Sequence, residues 1–406
     1  ALLSGEQGIR PIEGFDTGGF DCKAAAQVRP LNPSDLGIST RDARIMDAHS
    51  FMLMKCAREA FLQSGLDTAS VPREEIGFFA GMGMVDYDVD DLLPAVLKSL
   101  DPAGNLNYSA FYTQGYKEIY PLWPLSMLNN ISFCQVAIRL NIKGENTVFS
   151  PHADSGALAV AEGVNTLCER KVKVVLAGGV SEKVTPLSLA RAHLSGILAA
   201  EDGPDKAVCR PFDAKRRGTI FGEGCGVVTL ELASSARERG LTPFASIAGY
   251  GFTCEPAGDF AGPTAHAYSV AMKSALDKAG IGPSAIDVVI AHGDGTVIGD
   301  RNEREAINDV FAGCINTPYV FSSKAALGHL LAGAPVVDII LGISMIRNGM
   351  IPITLNSPQR DNSIRFSFIN TDPLRADVKR VLINCQSYEG QAASLIIAAP
   401  DPWGYA

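Results

Sequence analysis

Charge is scarce in this chain: Asp, Glu, Lys and Arg make up 19% of 406 residues, against 47% hydrophobic residues. That balance excludes a disordered chain and predicts an extensive buried core. A basic excess is also lacking, since 35 Lys and Arg face 44 Asp and Glu for a net charge of −9. The chain therefore has no electrostatic footprint for nucleic acid, although a local basic patch would still suit an acidic partner. Long hydrophobic runs are missing too. The stretch 333–340 is interrupted by Pro335 and Asp338 well short of a bilayer's thickness, so no membrane span is expected. Ala1-Leu2-Leu3-Ser4-Gly5 has neither the basic region nor the apolar core of a secretion signal, and the chain does not begin with Met. Nine cysteines are scattered without a C-x-x-C and without histidines at ligand spacing. This predicts reduced thiols in a cytoplasmic protein, no metal site and no bound cofactor.

What is present is the alternation of an α/β protein. Strand-like runs occur at 75–80, 172–177, 226–231, 286–291 and 381–384, with amphipathic segments at 47–64, 265–280 and 336–348 between them. Two segments, 57–66 and 275–281, share one grammar of helix, Gly and apolar strand. They predict an internal duplication, with one half at 1–240 and the other at 241–406.

The most informative stretch is Phe149-Ser150-Pro151-His152-Ala153-Asp154-Ser155-Gly156. Thr147 to Ser150 reads as a strand, and a small-residue helix follows with Ala157, Val160, Ala161, Val164 and Cys168 on one face. A side chain between these elements lies at a helix N-terminus, where free N–H groups and the helix dipole favour an anion such as a thiolate. Ala153, a methyl group, holds that place.

Ala291-His292-Gly293-Asp294-Gly295-Thr296 follows the strand ending at Ile290, which puts His292 at a strand's C-terminal end, a common site position in α/β proteins. Further on, Ser322-Ser323-Lys324 and Gly328-His329 precede another small-residue helix. One reading leaves Lys324 solvated in a capped loop. The other brings His329 beside His292 as two imidazoles on one carbonyl, each stabilising an oxyanion by roughly 3 kcal/mol.

Taken together, Arg210-Pro211-Phe212-Asp213, the run from Arg216 to Gly226, His292-Gly293-Asp294-Gly295-Thr296 with Gly299, Asp300 and Glu303, and Lys324 with Gly328-His329 resemble the elongating β-ketoacyl-ACP synthases over nearly the whole chain. The resemblance implies a thiolase-like five-layer αβαβα sandwich of two similar halves, usually paired as a dimer. It also implies a first strand ahead of Ala1, so the chain is expected to start after residues of the first half that are not in it. In that family a Cys takes the acyl chain from acyl carrier protein, and two His hold a malonyl thioester while it loses CO₂ and attacks. The Cys position matches Ala153, the imidazoles match His292 and His329, and Lys324 and Glu303 match the residues that organise them. Asp294, Thr296, Gln386 and Tyr388 fall where substrate would be bound, and phosphopantetheine thioesters of acyl carrier protein are the implied ligands.

Several departures accompany Ala153. The family's Gly-rich gating loop reads Asn384-Cys385-Gln386-Ser387-Tyr388-Glu389-Gly390-Gln391-Ala392, with Gln386 in place of the gate Phe, and Asp294 replaces a hydroxyl residue. Asp259 and Ala261 replace an expected His and Thr. Alanine has no lone pair, so no acyl-enzyme forms at residue 153. His152, Asp154 and Ser155 point elsewhere from such a turn. An engineered Cys-to-Ala change is disfavoured, because Pro151, His152, Asp154 and the gating loop differ as well. The first expectation is a chain-length-factor-like subunit of fatty acid or polyketide biosynthesis. It would form a heterodimer with an active ketosynthase through residues 125–131 and the strand before Ala153. The alternatives are a malonyl-ACP decarboxylase, or an unorthodox, homodimeric β-ketoacyl-ACP synthase, using the His/His/Lys set.

Overall fold

The computed structural model describes residues 1–84, 87, 89–200, 208–259 and 261–400. Strands β1 (Ile76–Met82) and β3 (Val174–Val180) are buried along their whole length. Phe79, Val175 and Ala177 enter one core and Ile76, Phe78, Val174 and Leu176 another. Apolar side chains on both faces are what a sheet covered on both sides requires. Strands β2 (Asn146–Phe149) and β4 (Cys225–Glu231) complete a sheet in the order β2-β1-β3-β4, parallel except for β4.

The second sheet contains β5 (Ser246–Cys254), β6 (Val288–Ile290), β7 (Tyr319–Phe321), β8 (Ser367–Phe368), β9 (Arg380–Gln386) and β10 (Gln391–Ala398). Its order is β8-β7-β6-β9-β10-β5, and only β10 runs against its neighbours. The run β7-β6-β9-β10 repeats β2-β1-β3-β4 in both order and direction. Strand β5, which flanks β10, has no counterpart beside β4 among the described residues.

Helices fill the remaining layers. α1 (Ala48–Gln63) and α2 (Asn129–Leu140) cover the outer face of the first sheet. α4 (Ala265–Ala279) and α5 (Val297–Val310) cover that of the second. Between the sheets lie α3 (Ser155–Cys168) and α6 (Ala334–Asn348), whose Ala157, Val160, Val336 and Ile339 join the inner faces of both in one core. This is the five-layer αβαβα sandwich. Because α3 is a middle layer, Ala159, Gly163 and Leu167 are buried as well as Ala157 and Ala161, whereas Cys168, expected on the apolar face, is exposed. The stretch Leu331–Asn348 is long and apolar enough to cross a membrane by length and composition alone, yet 56% of it is buried inside this core.

Besides this side-chain core, the two halves meet through close backbone contacts. A Cβ added at Gly156 would lie 2.3 Å from the Ala332 carbonyl oxygen, and one at Gly179 2.4 Å from the same atom. Gly179→Ala is therefore expected to destabilise the protein by about 3 kcal/mol through overpacking against rigid backbone. Gly19→Ala, where a Cβ meets nothing within 4 Å, should change stability by no more than ~0.5 kcal/mol. Chemical denaturation of the two variants checks the contrast.

Candidate functional site

The turn from β2 into α3 delivers Ala153 to the interior, immediately before the helix N-cap Asp154. Its N–H donates to Ser387 Oγ at 2.7 Å, and the Asp154 N–H approaches the same atom at 3.3 Å. The Ser387 hydroxyl in turn donates to Asp154 Oδ1 at 2.9 Å. A backbone N–H at a helix N-terminus is the donor with which an acyl-transfer site stabilises an oxyanion. Here a side-chain oxygen of the same chain occupies it. His152 faces away, with Nδ1 3.2 Å from Glu389 Oε2 in a partly exposed pair. Burial raises the Asp154 carboxyl above its ordinary range despite the bond from Ser387.

His292 follows β6 and His329 precedes α6, and the structure brings their rings together edge to face with centroids 4.8 Å apart. Each ring is oriented by backbone. The Gln386 N–H donates to His292 Nδ1 and the Leu331 N–H to His329 Nδ1, both at 3.2 Å. With both Nδ1 lone pairs engaged, each neutral imidazole carries its proton on Nε2. Both Nε2 atoms are buried without a hydrogen-bond partner. Burial, and then His292, push His329 well below the ordinary histidine range, so it stays neutral.

Behind His292, Glu303 of α5 accepts the N–H of His292 and of Gly293, both at 2.8 Å, and the Asn384 amide at 3.0 Å. Glu303 thus fixes the backbone at His292 and Gly293. Lys324 is not solvated: it is fully buried, and its Nζ lies 2.7 Å from Asp338 Oδ2. It makes no hydrogen bond to either imidazole; Asp338, which also takes the Ser323 hydroxyl at 2.7 Å, was not visible as a partner in the sequence.

Asp294 is the central difference from the expected site. Its Oδ2 accepts the Tyr388 phenol at 2.8 Å and lies 3.6 Å from His292 Nε2. Its Oδ1 accepts the Thr296 hydroxyl at 2.7 Å and N–H at 2.9 Å. Burial alone would raise this carboxyl, but His292, His329 and the Thr296 N–H outweigh it and hold Asp294 well below the ordinary carboxylate range. Nearby Asp300 is pushed well up by burial and by Asp294. Burial and Asp294 likewise keep Tyr388 a protonated donor. The Gln386 side-chain oxygen accepts the Tyr268 hydroxyl, and its Nε2 lies near Gly299, where a Cβ would meet Gln386 Nε2 at 3.0 Å and Asp294 Oδ1 at 3.6 Å. The loop's aromatic that packs on the imidazole pair is Tyr388, 5.9 Å from His329 between centroids.

The ligating atoms of His292, Asp294 and His329 all lie within 4.8 Å of one another, a spacing that would suit a metal ion. The tautomers do not suit one. A cation would have to displace both Nε2 protons while each Nδ1 still faces an N–H donor, whereas metal-bound imidazoles normally donate from the second nitrogen. Two N–H donors and a phenol fit an anion.

Comparison with known proteins gives the family. The sequence model described as "Beta-ketoacyl synthase, N-terminal domain" matches residues 1–236, and that described as "Beta-ketoacyl synthase, C-terminal domain" matches 244–357. The chain belongs to the β-ketoacyl synthase family. It is 28% identical to 3-oxoacyl-[acyl-carrier-protein] synthase 2 of Coxiella burnetii over 404 residues, 98% of this chain and 93% of that protein. Identity to the Staphylococcus aureus protein of the same name is 26% over 395 residues, 97% of this chain and 94% of the relative. Among solved structures, the ishigamide ketosynthase/chain length factor superposes with TM-score 0.84 at 26% identity, covering 98% and 94% of the two chains. A type II polyketide synthase acyl-carrier protein in complex with its ketosynthase gives TM-score 0.81 over 98% and 94%, and at 21% identity shows the fold alone. This member of the β-ketoacyl synthase family thus keeps two imidazoles facing one point while Asp294 and Ser387 take the nearby donors.

Two measurements test the electrostatics. Lys324→Met should destabilise by about 3–5 kcal/mol by stranding the Asp338 charge, and Lys324→Met/Asp338→Leu should recover most of that loss in denaturation curves. Because the folded-state pKa of His329 lies below its ordinary value of 6.5, its contribution is intact above that pH and is lost as pH falls, since only the unfolded chain then binds the proton. His329→Gln should flatten the stability–pH profile below 6.5, by up to ~1.4 kcal/mol per pH unit.

Proposed function

We propose that this chain is a non-catalytic, chain-length-factor-like subunit that pairs with an active β-ketoacyl synthase in fatty acid or polyketide synthesis. The observation that carries this reading is Ala153 itself: the strand-to-helix turn presents a methyl group, and its N–H is already bound by Ser387. No acyl-enzyme forms without a lone pair at that position. The Asp294 carboxylate beside His292 weighs against the second reading, a malonyl-ACP decarboxylase, because an anion already stands where a developing enolate would need the imidazole protons.

A partner would use residues 125–131 and strand β2. Leu128 in that segment is an exposed apolar side chain, and Leu122, Tyr108, Tyr112, Tyr116 and Tyr120 in the stretch before it are exposed as well. Strand β2 is the edge of its sheet, with no pairing strand on its outer side among the described residues. Exposed aromatic and apolar side chains and an open sheet edge each favour association with another chain. The ishigamide ketosynthase/chain length factor supplies a relative in which two such roles are named together. The phosphopantetheine thioesters of acyl carrier protein are the ligands the complex would handle, and a cytoplasmic location accords with that chemistry.

Co-expression with ketosynthases encoded beside this chain, followed by light scattering and product analysis, tests the reading. A 1:1 heterodimer whose product length depends on this chain is expected. Only homodimers, with products unchanged when the chain is omitted, would overturn it. Carbon dioxide release from malonyl-ACP by the isolated chain, abolished in His292→Ala, would establish the decarboxylase instead.

A further inference from the structure

We propose that the site is self-liganded: the Asp294 carboxylate occupies the anion position between the imidazoles, and His292 and His329 persist to hold it. This rests on the non-catalytic reading above and deepens it, because it gives the surviving imidazole pair a present role.

Four observations converge on Asp294. The first is geometric. Its Oδ2 lies 3.6 Å from His292 Nε2, and the ligating atoms of Asp294, His292 and His329 fall within 4.8 Å of one another. The second is the direction of the donors. Backbone N–H groups on both Nδ1 atoms leave the proton of each neutral imidazole on Nε2, and both Nε2 atoms are buried without a hydrogen-bond partner, so among the described residues a nearby carboxylate is their only counter-charge in the shared space. The third is that the remaining lone pairs are answered. Tyr388 donates to Oδ2, and Thr296 donates twice to Oδ1. The fourth is seclusion. Asp294 and His329 are fully buried and His292 nearly so, with Tyr388 packed against His329. A carboxylate in such a place needs fixed dipoles in lieu of water, and these groups supply them.

Shortening this side chain should therefore leave a receptor for a small carboxylate. Asp294→Ala removes one carboxylate and leaves the two imidazole N–H groups and the phenol in place, so acetate is the matching probe. With a Kd near 1 mM, 100 mM acetate shifts the folding constant about a hundredfold. The experiment is denaturation of the full-length wild type and Asp294→Ala in acetate and in chloride of equal ionic strength, with titration of [1-¹³C]acetate followed by NMR. Acetate-specific stabilisation and acetate line broadening are expected for the variant, absent from wild type and lost when His329→Phe is added. Should Asp294→Ala not fold, Asp294→Ser provides the same cavity with a smaller change in polarity.

A folded variant indifferent to acetate, an effect that survives His329→Phe, or equal binding by wild type would each overturn the proposal. Heterodimer formation is measured on the same preparations. Heterodimers without acetate binding would sink self-liganding and leave the subunit reading intact; acetate binding without heterodimers would do the reverse.

Discussion

The architecture depends on one carbonyl. The Ala332 oxygen sits against Gly156 of α3 and Gly179 of β3, at separations where no Cβ fits. The same segment is threaded into the first half by a short ladder: the His329 N–H donates to the Ile220 carbonyl at 2.7 Å, and the Gly222 N–H to the His329 carbonyl at 3.0 Å. These contacts place His329 by backbone, before any side chain of the site makes a bond. Ala153, two residues before α3, is held to the same origin. The distance between the nucleophile turn and the imidazole pair is thus a property of the fold, unaltered by what residue 153 carries.

Around that frame, buried charge is organised in a hierarchy. Glu303 accepts three donors and fixes the backbone of His292 and Gly293. Lys324 and Asp338 neutralise each other behind the loop that carries His329. Such groups are strongly stabilising only while their partners remain, since removing one leaves a desolvated charge. This explains how the polar scaffold around the imidazoles is stable without a bound thioester. Glu303 and Lys324 contribute to the packed interior whether or not a thioester is ever bound, so their retention is evidence of structure before it is evidence of chemistry.

The sequence made much of this legible, for identifiable reasons. Strands β1, β3, β4, β6 and β9 are apolar runs with β-branched residues and could be read directly. Strand β5 could not, because Gly249 and Gly251 stand where a Cβ would lie 2.2 Å and 2.3 Å from carbonyl oxygens of α4; close helix packing erased its side-chain pattern. Strand β10 hides behind small residues, and β7 is only Tyr319–Phe321. In the site, motif order was enough to bring His292, His329 and Glu303 together. Asp338 escaped notice because it lies within an apolar helix, and Ser387 because its role is a contact across 234 residues. One of the two readings left Lys324 solvated for want of that aspartate.

Ser387 and Asp294 set the surroundings of Ala153 and of the imidazole pair. The Ala153 N–H is answered by Ser387, while Asp294, anchored by Tyr388 and Thr296, brings a carboxylate oxygen to 3.6 Å from His292 Nε2. An unsatisfied buried donor costs about 1–3 kcal/mol, so a side chain that supplies an internal acceptor stabilises the interior. Ser387 does this for the Ala153 N–H, and Asp294 does it for the Tyr388 phenol and for Thr296. Toward the imidazoles Asp294 acts through charge at 3.6 Å rather than through a hydrogen bond, so the two loops stabilise the site in different ways.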